Sequence, residues 1–197
     1  MRNIKKKKQK ELSDIEIVNL LKEDIDMYGV LIERYEKQLM VYVRRILFVS
    51  VEDAEDILQE IFIKVYRNIN SYDPKYKFSS WIYRIAHNEA ISYLRSKKRK
   101  QISKNISGGE DDIFEKIPSD IDIEGEYLKK DSLKVITKGL KKLDSKYREV
   151  LILRFFEEKE YNEISEILHI PSGTVASLIN RGKEKLKILI EEDGGNI

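Results

Sequence analysis

The chain has 197 residues, 41% hydrophobic and 37% charged, with a formal net charge of +2 and a pI near 8.5, a length that fits one domain or two small ones. It contains no cysteine, which excludes disulfides and cysteine-ligated metals. No apolar run approaches the ~20 residues of a membrane span, and no apolar segment follows the N-terminal lysines as a secretory signal requires. The expectation is a soluble cytoplasmic protein without membrane insertion, cofactor or metal.

Residues 1–12, with Lys5 to Lys8 and Lys10, read as a basic disordered tail. Ser13 and Glu16 form a capping-box pattern that opens a short helix through Leu20 and Leu21. A longer helix runs from about Met27 to Phe48, with Val30, Leu31, Tyr35, Leu39, Tyr42, Val43 and Ile46 as its inward stripe. Ser50 with Asp53 starts a third helix, whose wide apolar face is Ile57, Leu58, Ile61, Phe62, Val65 and Ile69. Its other side carries Asp53, Asp56, Gln59, Glu60 and Lys64. Asp73-Pro74 interrupts the pattern, because the residue before a proline avoids helical geometry. A fourth helix follows from about Ser79 to Lys98, with Ile82, Ile85, Ala86, Ala90 and Tyr93 facing in.

From Gln101 to Glu124 the periodicity fails, with Gly108, Gly109, Pro118 and a cluster of acids. So long a structureless stretch is uncommon inside a compact domain and reads as an acidic linker. Beyond it, Tyr127 to Leu143 is helical, Asp144 is placed to cap a helix running to about Glu157, and Glu160 to Leu168 is a short helix. His169 and Ile170 form a turn, and Pro171 takes the first position of the last helix, where its missing N–H is no loss. No segment alternates like a strand. The fold class is all-α: two small helical domains (13–100 and 125–193) joined by an acidic flexible linker (101–124), the second a helix-turn-helix.

Two stretches carry candidate chemistry. The loop after the third helix mixes rings with positive charge, in Tyr72, Lys75, Tyr76, Lys77, Phe78 and Trp81. Unstacked bases lie on aromatic faces while lysines follow the phosphates; Trp81 divides evenly between base platform and core. In YNEISEILHIPSGTVASLINRGKEKLK, residues Ile164, Leu168, Ile170, Val175, Ile179 and Leu186 are spaced to form a small core. That leaves Ser172, Thr174, Ser177 and Asn180 at the exposed start of the second helix, with Arg181, Lys183 and Lys185 after them. Short polar side chains there can reach base edges in the major groove, and backbone N–H groups meet phosphates. A plain helical hairpin fits the same pattern. His87 has no second ligand or nucleophile nearby in the sequence and is read as a bystander.

The run DAEDILQEIFIKVY…FSSWIYRIAHNEAISYLR resembles the sigma domain that engages RNA polymerase and melted promoter DNA. LDSKYREVLILRFFEEKEYNEISEILHIPSGTVASLINRGKEKL resembles the sigma domain that reads the upstream promoter element. Order and spacing are similar to those of the extracytoplasmic-function (ECF) group of the sigma-70 family, over about Val30 to Leu189. The resemblance implies docking of Asp53, Asp56, Gln59 and Glu60 on the coiled coil of the polymerase β′ subunit, with further contact to the β subunit. It implies capture of a flipped −10 base by the loop Tyr72 to Ser80, including Tyr76, Lys77, Phe78 and Ser79, with Asn88 lining the pocket. Arg95, Lys97, Lys98 and Arg99 would track phosphates upstream. The helix from Pro171 would read the −35 duplex through Ser172, Thr174, Ser177, Asn180, Arg181 and Lys183, with Arg154 as a phosphate contact. An anti-sigma partner is implied in the same way.

The chain departs from the family at five positions. Ala176 and Leu178 stand where basic residues are common, Ser92 replaces a common Asp, His169 replaces a common turn Gly, and Gly182 lies inside the last helix. The first two shift −35 contacts toward Ser172, Ser177, Asn180 and Arg181. The function implied is promoter recognition without catalysis, on duplex and single-stranded promoter DNA, with core RNA polymerase as partner. A stand-alone helix-turn-helix regulator would explain the C-terminal half but neither the acidic helix, the aromatic loop nor the linker. A helical nucleic-acid enzyme lacks any metal-ligand cluster or nucleophile–base pair in the sequence.

Overall fold

The structure, a computed structural model, describes residues 12–105 and 130–193; the basic tail and most of the acidic stretch lie outside them. Helix α1 (Asp14–Leu20) starts with the capping box read from the sequence. Glu16 N donates to Ser13 Oγ at 3.3 Å and Ser13 N to Glu16 Oε2 at 2.7 Å. Helix α2 (Met27–Leu47) ends on Phe48, which takes the left-handed conformation (φ 53°). Helix α3 (Val51–Asn68) is capped by Ser50, whose hydroxyl accepts from Asp53 N at 3.1 Å. A 3-10 turn, Ile69–Ser71, leads into the loop before helix α4 (Phe78–Asn105). That helix passes the end expected near Lys98, since nothing between Lys98 and Asn105 is a Gly or Pro that would stop it.

The C-terminal half holds α5 (Lys130–Lys142), α6 (Ser145–Phe155), α7 (Tyr161–Leu168) and α8 (Ser172–Glu192). Three expectations about helix ends in this half are corrected. Asp144 occupies the N-cap of α6 without a side-chain cap bond; its carbonyl receives Tyr147 N and Arg148 N at 3.0 and 3.1 Å instead. Pro171 precedes the first turn of α8 rather than forming part of it, because its ψ of 144° is extended. The chain leaves α6 at Phe155 rather than Glu157 and turns through Glu158, at φ 52°.

All regular structure among the described residues is helical. Leu31, Leu39, Tyr42, Val43, Ile61, Val65, Ile82 and Ala86 bury fully in the N-terminal half, and Val150, Ile152, Leu153, Ile164 and Val175 in the C-terminal half. The core of α7 and α8 also takes Ile167, which the sequence reading omitted, whereas Leu168, Ile170 and Leu186 are only partly buried. Gly182 has a packing reason: a Cβ there would meet Leu151 Cγ and Tyr147 Cβ, both at 3.3 Å. The two halves pack on each other, α4 against α7 and α2 against α6.

Candidate nucleic-acid interface

Around the loop between α3 and α4, the aromatic residues separate by exposure. Tyr72, Phe78 and Trp81 are 8%, 2% and 6% exposed. Their rings pack edge-on or tilted at centroid distances of 5.1 Å (Tyr72–Phe78), 5.7 Å (Tyr72–Trp81) and 5.4 Å (Phe78–Trp81), and Tyr35 adds a fourth ring at 5.7 Å from Phe78. Trp81 is therefore core. Tyr76, 53% exposed, and Lys77 stand out from this cluster. The turn that presents them is tied down by its own backbone and side chains. Lys75 N donates to Asp73 Oδ1 at 3.0 Å, Tyr76 N to Asp73 O at 3.1 Å, and the Tyr72 hydroxyl to Tyr76 O at 2.8 Å. Ser79 is half-buried at the start of α4, and Asn88 is exposed three turns along. Arg95, Lys98 and Arg99 are exposed farther on, while Lys97 folds its ammonium over Tyr93 at 5.6 Å. Side chains of the last turn, from Lys100, lie outside the described residues.

The solvent side of α3 is acidic along one edge and apolar along the other. Asp56, Gln59 and Glu60 are exposed and Asp53 is half-buried. Burial lifts the pKa of the Tyr93 phenol, and the neighbouring Asp53 carboxylate adds to the effect. Lys64 pairs with Glu89 of α4. On the other edge Ile63 and Tyr66, 42% and 49% exposed, join Ile25, Tyr28, Met40 and Phe62 around an open groove between α2 and α3. The sequence reading missed this groove, although an isoleucine and a tyrosine on the charged side of an amphipathic helix were the available signal.

In the helix-turn-helix, His169 sits at φ 55°, the left-handed region where glycine is the unstrained choice; this accounts for the glycine of the related pattern. Ser165 Oγ fastens the turn by donating to Ile170 O at 2.6 Å. Ser172, Thr174, Ser177, Asn180, Arg181 and Lys183 are all exposed on α8, and Ala176 and Leu178 are half-buried. Arg154 is already engaged within its own unit. Its Nη1 donates to Lys159 O and Glu160 Oε1, both at 3.1 Å, and its guanidinium lies over Tyr161 at 5.5 Å.

His87 has a structural place. Its ring meets the Tyr42 hydroxyl at 3.3 Å within its own half and Glu149 Oε2 at 3.9 Å across the junction. Burial pushes His87 down to about 4 and Glu149 up to about 7, so near neutral pH this contact is not an ion pair. Among the described residues no group of His, Asp and Glu is placed to hold a metal, and no helix is long and apolar enough to cross a membrane.

These features define a two-unit helical protein with a helix-turn-helix at one end and a charged, aromatic loop–helix unit at the other. The Sigma-70 region 2 profile matches residues 31–100, and the Sigma-70, region 4 profile matches residues 133–186. The chain is 36% identical over 174 residues to the ECF RNA polymerase sigma factor SigW of Bacillus subtilis (strain 168), covering 87% of this chain and 92% of that one. It is 31% identical over 168 residues to the ECF RNA polymerase sigma-E factor of Escherichia coli (strain K12), covering 84% and 87%. In fold it is similar to CnrH in complex with the cytosolic domain of CnrY, with a TM-score of 0.65, 20% identity and 90% and 96% of the chains covered. The sigma factor RpoE in complex with the anti-sigma factor NepR from Bartonella quintana gives the same TM-score and identity over 83% and 96%. The chain belongs to the ECF group of the sigma-70 family and is an RNA polymerase sigma factor.

Proposed function

We propose that each exposed surface carries one step of promoter-specific initiation. The crest of α3, with Asp53, Asp56, Gln59 and Glu60, docks on a basic coiled coil of core polymerase, and Ile63 and Tyr66 add apolar contact beside it. The observation that supports this best is the opposite chemistry of the two edges of one exposed helix, acidic and apolar, next to a cationic aromatic loop. Tyr76 and Lys77 receive the −10 strand: Tyr76 offers the stacking face and Lys77 the counter-charge, over a floor of Tyr72, Phe78 and Trp81. Asn88 and Ser79 hydrogen-bond the captured base, and Arg95 and Lys98 follow the backbone upstream. Unstacking costs a few kcal/mol and stacking returns about 1–3 kcal/mol per base.

The −35 duplex is read from α8, by Ser172, Thr174, Ser177 and Asn180 at base edges and by Arg181 and Lys183 at phosphates, while Arg154 braces the turn that aims the two helices. Docking both units on one polymerase makes the second contact effectively intramolecular, so two weak interactions act together. The chain works in the cytoplasm without catalysis of its own, and an anti-sigma protein restrains it. The units are a polymerase and −10 domain up to about residue 100 and a −35 domain from about 125. The test is reconstitution: purified chain added to core polymerase should yield RNA from defined start sites on genomic fragments, and random or absent initiation would refute the reading.

A further inference from the structure

We propose that the groove between α2 and α3 is the seat of the chain's own basic N-terminal segment, residues 1–11, which lies across it and shields it from polymerase. The shielding rests on the docking role given to α3 above; the contact itself does not. The groove has an apolar floor that includes Ile32, Met40 and Phe62, with Ile63 and Tyr66 exposed along one edge. Its rim is acidic: Asp26, Glu36 and Glu55 are exposed there, and Arg67 is the sole cation among the lining residues. Among the described residues none of these three carboxylates makes an ion pair. The segment has the complementary composition. Arg2, Lys5 to Lys8 and Lys10 give six cations against the one acid Glu11, and Met1 and Ile4 are its apolar residues.

The place where the segment joins the fold sets its reach. Arg34 of α2 donates from Nη2 to Leu12 O and from Nη1 to Asp14 Oδ1, both at 2.6 Å. At 3.6 residues per turn, position 34 points nearly opposite to the midpoint of Ile32 and Glu36, so the path to the groove runs half-way round α2. For a helix about 11 Å across, that is roughly 17 Å, or about five extended residues. Eleven residues span up to roughly 36 Å. Lys5 to Lys8 therefore arrive at the rim that carries Glu36, and Ile4 and Met1 reach on toward Ile63 and Tyr66. Each exposed charge pair is weak and screened by salt, but the tether holds the segment at a high effective concentration over one surface. A partner that docks on Ile63 and Tyr66 must displace it, and its apparent affinity falls by the fraction of chains whose groove is open.

The chain has no native cysteine, so Asn3→Cys takes a single nitroxide label. In the isotope-labelled full chain, that label should broaden the amide signals of Gly29, Ile63 and Tyr66 and leave those of Thr174 and Asn180 sharp. Replacing Lys5 to Lys8 by glutamate should restore the groove signals. No broadening at the groove, or equal broadening on α8, overturns the proposal. Broadening delivered by a nitroxide-labelled second copy overturns it as well, in favour of a contact between molecules. Deleting residues 2–10 should tighten binding to core polymerase about threefold to tenfold at low salt, a gain that fades as salt is raised. Unchanged or weaker binding after the deletion overturns the shielding. A full chain that shows the groove contact, yet has no affinity for core polymerase with or without the segment, upholds the contact and refutes the docking assignment instead.

Discussion

Tyr76 and Phe78 are two residues apart and both aromatic, yet substitution to alanine should separate their effects completely. Phe78 is 2% exposed and touches three rings. Removing a buried phenylalanine costs about 3–5 kcal/mol. At about 2 kcal/mol per M, Phe78→Ala should lower the urea midpoint by about 2 M. Tyr76 is 53% exposed, and its tie to Tyr72 is through its carbonyl, which alanine keeps. Tyr76→Ala should therefore move stability by no more than about 0.5 kcal/mol. What it loses is a stacking face worth about 1–3 kcal/mol per base. At about 1.4 kcal/mol per factor of ten, that is a drop of roughly 5- to 150-fold in open-complex occupancy. Urea unfolding measures the first axis, and permanganate reactivity of promoter thymines in the holoenzyme measures the second, with binding to −35 duplex as control. An unchanged open complex with Tyr76→Ala, or an unchanged midpoint with Phe78→Ala, would refute the division into platform and floor.

Charge reversal of Asp56 and Glu60, both exposed on α3, should weaken core-polymerase binding at least about tenfold at low salt, less as salt screens it, with no change in unfolding. Anisotropy titration checks this, and equal affinities would remove the docking surface. Asp53 is a poorer choice because it is half-buried and lies beside Tyr93. Burial raises Glu149 from 4.5 to about 7, so its stabilising contribution is full below pH 4.5 and lost as pH rises through 7. His87, lowered from 6.5 to about 4, contributes above pH 6.5 and loses that as pH falls through 4. The two slopes oppose each other between about pH 4.5 and 6.5, where stability should be flat, with Tyr42, Arg148 and Glu157 the other ionisable groups around the site. Glu149→Gln should then gain on the order of 2 kcal/mol at pH 8.5 and little near pH 5; a pH-independent difference in urea unfolding would contradict this. Gly182→Ala should lose stability despite the better helix propensity of alanine, because its Cβ would press on Leu151 and Tyr147 at 3.3 Å; a net gain of about 1 kcal/mol would mean that α6 yields freely.

Helix positions were legible because each rests on neighbours within about four residues. Ser13 with Glu16 and Ser50 with Asp53 are local bonds that the sequence spells out. Side-chain direction inside the aromatic loop was not, since Tyr72, Tyr76, Phe78 and Trp81 share one composition signal. Three of them turn inward, Phe78 against Tyr35 of α2, and one turns outward, a division set by tertiary packing. Exposure along α3 was half legible. Its acidic edge follows from period alone, whereas the groove beside Ile63 and Tyr66 depends on how α2 lies across it.

The junction between the halves was the least legible part, for a reason that bears on how it works. Its bonds span 74 and 112 positions at Glu157 and 85 at His169, separations that no helical period can encode. Beside aromatic residues such as Phe48, Tyr83 and Phe156, it uses charged ones, Arg45, Glu149, Glu157 and Lys159, which on amphipathic helices and turns read as solvated surface. A purely aliphatic interface would be as visible as the core. Charged groups that meet in a buried pair give up hydration to do so, and their attraction offsets much of that loss only where the geometry is good, as it is for Arg45 and Glu157 at 2.9 Å.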